Sequence, residues 1–328
     1  MQNAMAIETQ QLSKTYLARE PGQGIMRGLI RPRMRAIEAV RDVSFCIHTG
    51  QRVAFVGPNG AGKSTALKML TGILYPTSGD AQVLGMVPWK RRRQLSYQVG
   101  SIFGQRSQLW CHLPAEQTFT LLARMYEVEE SAYRSRRAEL VELFGLGALL
   151  GKPVRELSLG ERMRCEIAAS LLHQPRVLFL DEPTIGLDVT AKAVIRGLIR
   201  RISEQSGMTV LLTSHDTGDI EGVCDRVIVI NQGTLILDSA LDALRRRYIK
   251  HKVVTVQSEH ERLEFNLDGV RRLETEPYKT RFEVDLGIAA IDTFIEKLLR
   301  TGAIHDLTVE DPPLEEIIKL IYAGGAAA

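Results

Sequence analysis

The spacing of apolar and polar positions divides the chain into two regions. Up to about residue 240, short apolar runs alternate with stretches of helical period. The runs at 53–56, 177–180, 210–213 and 227–230 are short and rich in branched residues, with turn formers at many of their ends. They predict buried strands. The last is followed by Asn231-Gln232-Gly233 and a further run at 234–237, which predicts a hairpin. Apolar residues at helical spacing predict helices at 64–70, ended by Gly72, at 161–173, and at 189–204. The last has Val194, Ile195, Leu198, Ile199 and Ile202 on its apolar face. Strands alternating with helices predict an α/β fold with a mainly parallel sheet.

Two departures from that rhythm carry information. From about 115 to 157 the pattern turns all-helical, with Leu121, Leu122 and Met125, then Leu140, Val141 and Phe144, marking amphipathic faces. This predicts a helical subdomain inserted into the sheet domain. Beyond residue 240 the pattern becomes strand-like, with runs at Val253, Val254 and Val256, at Leu263, Phe265 and Leu267, and at Phe282, Val284 and Leu286. A helix with Ile288, Ile291, Ile295, Leu298 and Leu299 on one face follows. A last helix at 314–322 comes after Pro312-Pro313, and residues 324–328 form a tail without a packing pattern. The expectation is a domain over 1–240 and a small α+β accessory domain over 241–328.

Composition narrows the class. A length of 328 residues with 45% hydrophobic and 25% charged content is that of a soluble globular protein of one or two domains. A net charge of +3 carries no overall nucleic-acid footprint, and no nucleic-acid partner is expected. Basic residues bunch at 91–93, at 245–247 and between Arg27 and Arg41; the first two bunches read as solvated faces. Cys46, Cys111, Cys165 and Cys224 are too scattered for a disulfide framework or a zinc site and fit a reducing compartment. The first eleven residues lack the apolar stretch of a signal peptide. No apolar run approaches the roughly 20 residues that span a bilayer. If the protein works at a membrane, another chain spans it.

The chemistry concentrates in four places. Gly57-Pro58-Asn59-Gly60-Ala61-Gly62-Lys63-Ser64 matches G-x-x-x-x-G-K-[ST], between a predicted strand and a predicted helix. Glycines let backbone N–H groups turn inward around phosphates, and the helix N-terminus adds its dipole. Lys63 is placed to reach the β- and γ-phosphates, and Ser64, followed by Thr65, to hold Mg²⁺. Asp181 ends an apolar strand, where a carboxylate reaches the Mg²⁺ shell directly or through water. Glu182 is next and can polarise an attacking water. Ser158 and Gly160, at a helix start, form a second anion site.

With these motifs in order, residues 5–240 resemble the nucleotide-binding subunit of an ATP-binding-cassette (ABC) transporter, a P-loop NTPase. The run Leu157 to Glu161 resembles the family's L-S-G-G-Q signature. Gln105 resembles the Q-loop glutamine, linking Mg²⁺ and the water to the membrane partner. Gly186-Leu187-Asp188 resembles the D-loop, His215 the switch histidine, and Tyr16 the aromatic that stacks on adenine. The resemblance implies a catalytic set of Glu182, His215 and Gln105, and a nucleotide site that also includes Asp188. It implies ATP with Mg²⁺, the metal held by Ser64, Gln105 and Asp181. It also implies a head-to-tail dimer, either a homodimer or a pair with another ABC subunit. Each ATP then lies between Lys63 of one chain and Ser158 of the other. The partner is an integral membrane permease, and the location is the cytoplasmic face of the membrane. The C-terminal extension resembles ABC-2 type exporters, while an importer subunit or a soluble ABC ATPase acting on ribosomes or DNA stands as the alternative.

The chain departs from the family pattern at three positions. Leu159 and Glu161 replace a glycine and a glutamine of the signature, and Gly104 precedes Gln105 where a bulge or insertion is expected. The basic stretch 18–36 is either an amphipathic element near anionic lipid or the permease, or a surface loop. Trp110 and Leu113 either touch the permease or pack internally.

Overall fold

The computed structural model describes residues 4–19, 34–104, 107–261, 263, 265–301 and 304–324. Gln105, most of the basic stretch 18–36 and the tail beyond residue 324 lie outside the described residues. The chain divides into two compact units, Met1–Leu241 and Asp242–Ala328.

A six-stranded sheet organises the first unit. Its strands are β3 (Arg52–Val56), β5 (Val99–Phe103), β6 (Val177–Asp181), β7 (Thr209–Thr213), β8 (Arg226–Asn231) and β9 (Thr234–Ala240), in the order β5-β6-β7-β3-β8-β9. All neighbours are parallel except β8 and β9. Every residue of β6 and β7 is buried, which is why they read as unbroken apolar runs. The β8–β9 turn has Gln232 and Gly233 both at positive φ, 46° and 83°, as a tight two-residue hairpin requires.

A second, antiparallel sheet in the same unit has the order β2-β1-β4, formed by β1 (Met5–Arg19), β2 (Met34–His48) and β4 (Ser78–Val83). The apolar pattern does not mark β1 or β2, because their buried positions are irregularly spaced and the β1–β2 pairing is broken by register shifts. Val43, Phe45 and Ile47 of β2 pack into one core with Phe55 of β3 and with Leu67 and Leu70 of α1 (Lys63–Leu70). The rings of Phe45 and Phe55 lie 5.8 Å apart.

The helical subdomain contains α3 (Ala115–Met125) and α4 (Glu130–Phe144), which follow the short α2 (Arg92–Ser96). Glu129 caps α4 by accepting from the backbone N–H groups of Ser131 and Ala132, and Gly145 ends it at φ 60°. Arg137 grips Glu116 through two parallel contacts, joining α4 to α3. The expected face of α3 needs correction. Phe119 and Leu122 are buried, whereas Leu121 and Met125 are exposed, so the core stripe is rotated by about a quarter of a turn and keeps Leu122. On α6 (Val189–Ser206), Ile195, Ile199 and Ile202 are buried, but Val194 is exposed. The helix expected at 161–173 starts earlier, as α5 (Leu159–Ser170), because Ser158 caps it.

The second unit begins with α8 (Leu241–Tyr248), after α7 (Thr217–Val223) of the first. Its antiparallel sheet has the order β11-β12-β10-β13, from β10 (His251–Ser258), β11 (Val270–Glu276), β12 (Lys279–Asp285) and β13 (Ile304–Glu310). The run Leu263, Phe265, Leu267 forms no strand where it is described; instead Leu263 and Phe265 plug the core. Phe265, Phe282 and Phe294 pack edge to face, with centroids 5.2 to 5.8 Å apart. The strand that pairs with β12 is the polar run of β11, whose residues are nearly all exposed at the sheet edge. α9 (Ile291–Leu299) buries Phe294 and Leu298, while Ile288 and Leu299, expected on that face, are exposed. α10 (Leu314–Gly324) ends the described chain.

Phe179, wholly buried in the centre of β6, tests the sheet's part in stability. Phe179→Ala should cost about 3–5 kcal/mol in denaturant unfolding of the first unit. A loss under about 1 kcal/mol would mean that the ring is not a core anchor.

Candidate active site

The parallel register brings the chemical residues to one sheet edge. Phe55 of β3 is level with Thr213 of β7, Thr213 with Asp181 of β6, and Asp181 with Phe103 of β5. The segments that leave these strands therefore start side by side, at the carboxyl edge where open α/β sheets bind ligands.

Residues 57–62 leave β3 and wrap into α1. Two glycines are fixed by space. A Cβ on Gly57 would lie 2.4 Å from the carbonyl oxygen of Ile230. Gly62, the N-cap of α1 at φ 101°, would put one 2.2 Å from the carbonyl oxygen of Ala39. Asn59, Gly60, Ala61, Gly62, Lys63, Ser64 and Thr65 line a cavity of about 200 Å³ together with Ala39 and Glu182. Pro58 closes the turn by accepting from the Ala61 N–H. Lys63 Nζ folds back to donate to the carbonyl oxygens of Gly57 (2.6 Å) and Pro58 (3.3 Å). Burial pushes the Lys63 ammonium below its ordinary range, while the charges of Glu182 and Asp181 oppose that shift.

Asp181 is buried and its Oδ1 is an acceptor hub. Ser64 Oγ donates to it from 3.1 Å and Thr213 Oγ1 from 2.6 Å. Thr213 was not legible as a site residue, since a threonine ending an apolar strand carries no motif. Hard oxygens from Ser64 and Asp181, converging beside a phosphate loop, suit Mg²⁺ in ligand type. Glu182 follows at φ 53°, a left-handed conformation rare outside glycine. Its N–H donates to the Thr213 carbonyl oxygen and lies 3.1 Å from Thr213 Oγ1, which holds the turn. The carboxylate is thereby aimed into the cavity, and its Oε2 lies 3.4 Å from His215 Nδ1.

The signature run lies elsewhere. Ser158 and Glu161 form a capping box at the start of α5: Glu161 Oε2 accepts from the Ser158 N–H (2.8 Å), and Ser158 Oγ accepts from the Glu161 N–H (3.3 Å). Hydrogen bonds from the Ser158 backbone N–H and from its side chain hold the Glu161 carboxyl below the usual carboxylate range. Glutamate in place of glutamine is thus a good cap partner. Gly160 lies where a Cβ would touch the Ala191 side chain at 3.0 Å. Asp188 caps α6 by accepting from the Ala191 N–H (2.8 Å). Ser158, Gly160 and Asp188 surround one cavity of about 400 Å³, and none of them lines the phosphate-loop cavity.

Tyr16, part-exposed in β1, pairs with Ile37, two residues from Ala39 at the phosphate-loop cavity, and Lys14 Nζ sits 5.4 Å from its ring. Gly104 leaves β5 at φ 51° with its N–H donating to the Asp181 carbonyl oxygen, beside the acidic strand end. Beyond Gln105, Ser107 Oγ donates to Glu166 Oε1, and the Gln108 N–H donates to Glu166 Oε2 at 3.2 Å. Glu166 is a buried carboxyl on α5 that sequence reasoning missed; desolvation raises its pKa despite these bonds. A polar residue at a buried helical position, Cys165-Glu166-Ile167, was the available signal. Trp110 and Leu113 are exposed, whereas Leu109 is buried. No helix among the described residues is long and apolar enough to cross a membrane.

A family model described as ABC transporter matches residues 40–185. Among known proteins, the chain is 32% identical over 210 residues to the ABC transporter ATP-binding protein NatA of Bacillus subtilis, covering 64% of this chain and 85% of that one. It is 29% identical over 289 residues to the linearmycin resistance ATP-binding protein LnrL of the same organism, covering 85% and 91%. A solved dimeric ATP-binding cassette in a post-hydrolysis state, bound to ADP and Pi, shares the fold at 24% identity and a TM-score of 0.60, covering 72% of this chain and 98% of that one. An identity of 32% over 85% of NatA is a likeness of family as well as of fold: the chain belongs to the ATP-binding subunits of the ABC transporters and is an ATPase of that family.

Proposed function

We propose that this subunit drives export through a separate membrane permease, and that its working unit is a head-to-tail pair. The observation that carries the pairing is the split site. The phosphate loop with Glu182 lines one cavity, and Ser158, Gly160 and Asp188 line another. One nucleotide has no use for two separated half-sites on one chain. A two-fold pair makes both useful, because each chain presents its signature end to the other's phosphate loop. The partner is a second copy or a paired ABC subunit.

In that arrangement the backbone N–H groups of 60–65 and Lys63 grip the phosphates, with Lys63 exchanging two carbonyl partners for phosphate oxygens. Ser64 and Asp181 hold Mg²⁺, which when bound neutralises charge developing on the phosphates. Glu182 accepts the proton of the attacking water, and His215, 3.4 Å away, orients it and the γ-phosphate. Gln105 completes the set between metal and permease. Tyr16 stacks on the adenine. From the partner chain, the Ser158 O–H and the N-terminus of α5 donate to the same phosphates. Closure on ATP and reopening after hydrolysis move the permease, which holds the subunit at the cytoplasmic face of the membrane. Trp110 and Leu113, exposed beyond Gln105, form the contact with it.

Export is supported by the resistance protein of Bacillus subtilis, whose 289-residue match runs past the 241 residues of the first unit. The second unit thus belongs to the likeness.

Glu182→Gln should bind ATP as the parent does, trap the closed pair in size-exclusion chromatography with ATP, and lose turnover by about 100-fold or more. Unchanged steady-state hydrolysis would remove Glu182 as the proton acceptor. Asp181→Asn should keep metal-free nucleotide binding but abolish stimulation by Mg²⁺. Full stimulation in a Mg²⁺ titration would contradict the assigned metal ligand.

A further inference from the structure

We propose that Asp219 is a positioning residue that couples α6, whose first turn is capped by Asp188, to the Glu182–His215 pair. The proposal rests on the reading of that pair as catalytic. Asp219 lies on α7, is 1% exposed, and spends both carboxylate oxygens on three different segments. Oδ2 accepts from Thr184 Oγ1 (2.5 Å), two residues after Glu182, and from Ser214 Oγ (2.6 Å), directly before His215. Oδ1 accepts from Arg196 Nε (2.7 Å) on α6.

Arg196 extends the link. Its Nη2 lies 3.0 Å from Asp216 Oδ1, one residue past His215, while Lys192 Nζ, one turn earlier on α6, reaches Asp216 Oδ2 at 2.6 Å. The switch segment is therefore held on both sides of His215, by Ser214 through Asp219 and by Asp216 through α6. The Ser214 hydroxyl also accepts from the Asp216 N–H (2.9 Å), closing the ring of contacts.

The space for this link is built into α7. A Cβ on Gly218 would lie 2.6 Å from Arg196 Nη1, and one on Gly222 would lie 3.1 Å from Arg196 Cδ. Glycines one turn apart weaken a short helix, yet they let the guanidinium lie against its backbone and reach both acids. A planar fork satisfies two carboxylates at once in a way that an ammonium does not. Apolar packing of Ile220 and Val223 would hold α7 without any buried charge. The buried carboxylate instead ties the Glu182 turn, the His215 segment and α6 together. Displacement of the partner-facing end of α6 is thereby transmitted to the two groups that act on the attacking water.

The test compares Asp219→Asn and Arg196→Lys with the parent in full-length protein. It reads ATPase kinetics together with amide hydrogen exchange. The expected result is a fall in kcat of about 10–100-fold, with KM for ATP within about two-fold. Exchange becomes faster in 182–187 and 213–217 and stays unchanged in 57–65. Parental kcat in both variants would overturn the proposal, whatever the exchange shows. So would a joint loss of kcat and ATP binding with faster exchange across 57–65, which marks general loosening. If Asp219→Asn does not fold, Arg196→Lys carries the comparison alone. The exchange readout does not depend on which group accepts the proton. Retained turnover in Glu182→Gln would therefore strike the catalytic assignment and leave the coupling measurement standing.

Discussion

The parallel register of β3, β5, β6 and β7 is the constraint on which the site depends. Because Phe55, Thr213, Asp181 and Phe103 stand level, the segments after these strands emerge together. Asp181 Oδ1 can then take Ser64 and Thr213 at once, and the Glu182 backbone can turn left-handed against Thr213. A slip of one residue in any of these pairings would turn the side chains to the opposite face and separate the acids from the phosphate loop. The cost of the strained Glu182 turn, of order 1–3 kcal/mol, is borne by strands whose residues are wholly buried.

A second constraint is that the signature run and the phosphate loop line different cavities. The capping box at Ser158 and the cap at Asp188 each fix a helix start, and both line a cavity to which the phosphate loop does not contribute. The same backbone geometry that makes a helix N-terminus an anion site therefore faces outward here. Leu159 and Glu161, the two departures in the signature, are consistent with that role. Leu159 leaves the Ser158 hydroxyl and the Gly160 backbone in place, and Glu161 strengthens the cap.

Much of this was legible in the sequence, for a physical reason. β6 and β7 are buried on both faces and so read as unbroken apolar runs, and the phosphate loop is written in glycines that space demands at Gly57 and Gly62. β1, β2 and β11 were not legible. The first two face the core on one side only and are interrupted by bulges, and the third is a polar edge strand held by its backbone. Leu263 and Phe265 misled because an apolar run can fill a core without entering a sheet. Within the site, the motif residues were visible one by one. Their supports Thr213, Glu166 and Asp219 were not, since their roles arise from contacts across 32, 59 and 35 residues of sequence.

The central claim is that each nucleotide is gripped by two chains. It is tested most directly by mixing two variants that are each inactive alone, Lys63→Ala and Ser158→Arg, and measuring ATPase activity. In an equal mixture of freely exchanging pairs, half the pairs are unlike. In each unlike pair one site carries both lesions and the other carries none. The account predicts recovery to about a quarter of wild-type activity. No recovery at any mixing ratio, with exchange of chains verified, would contradict it.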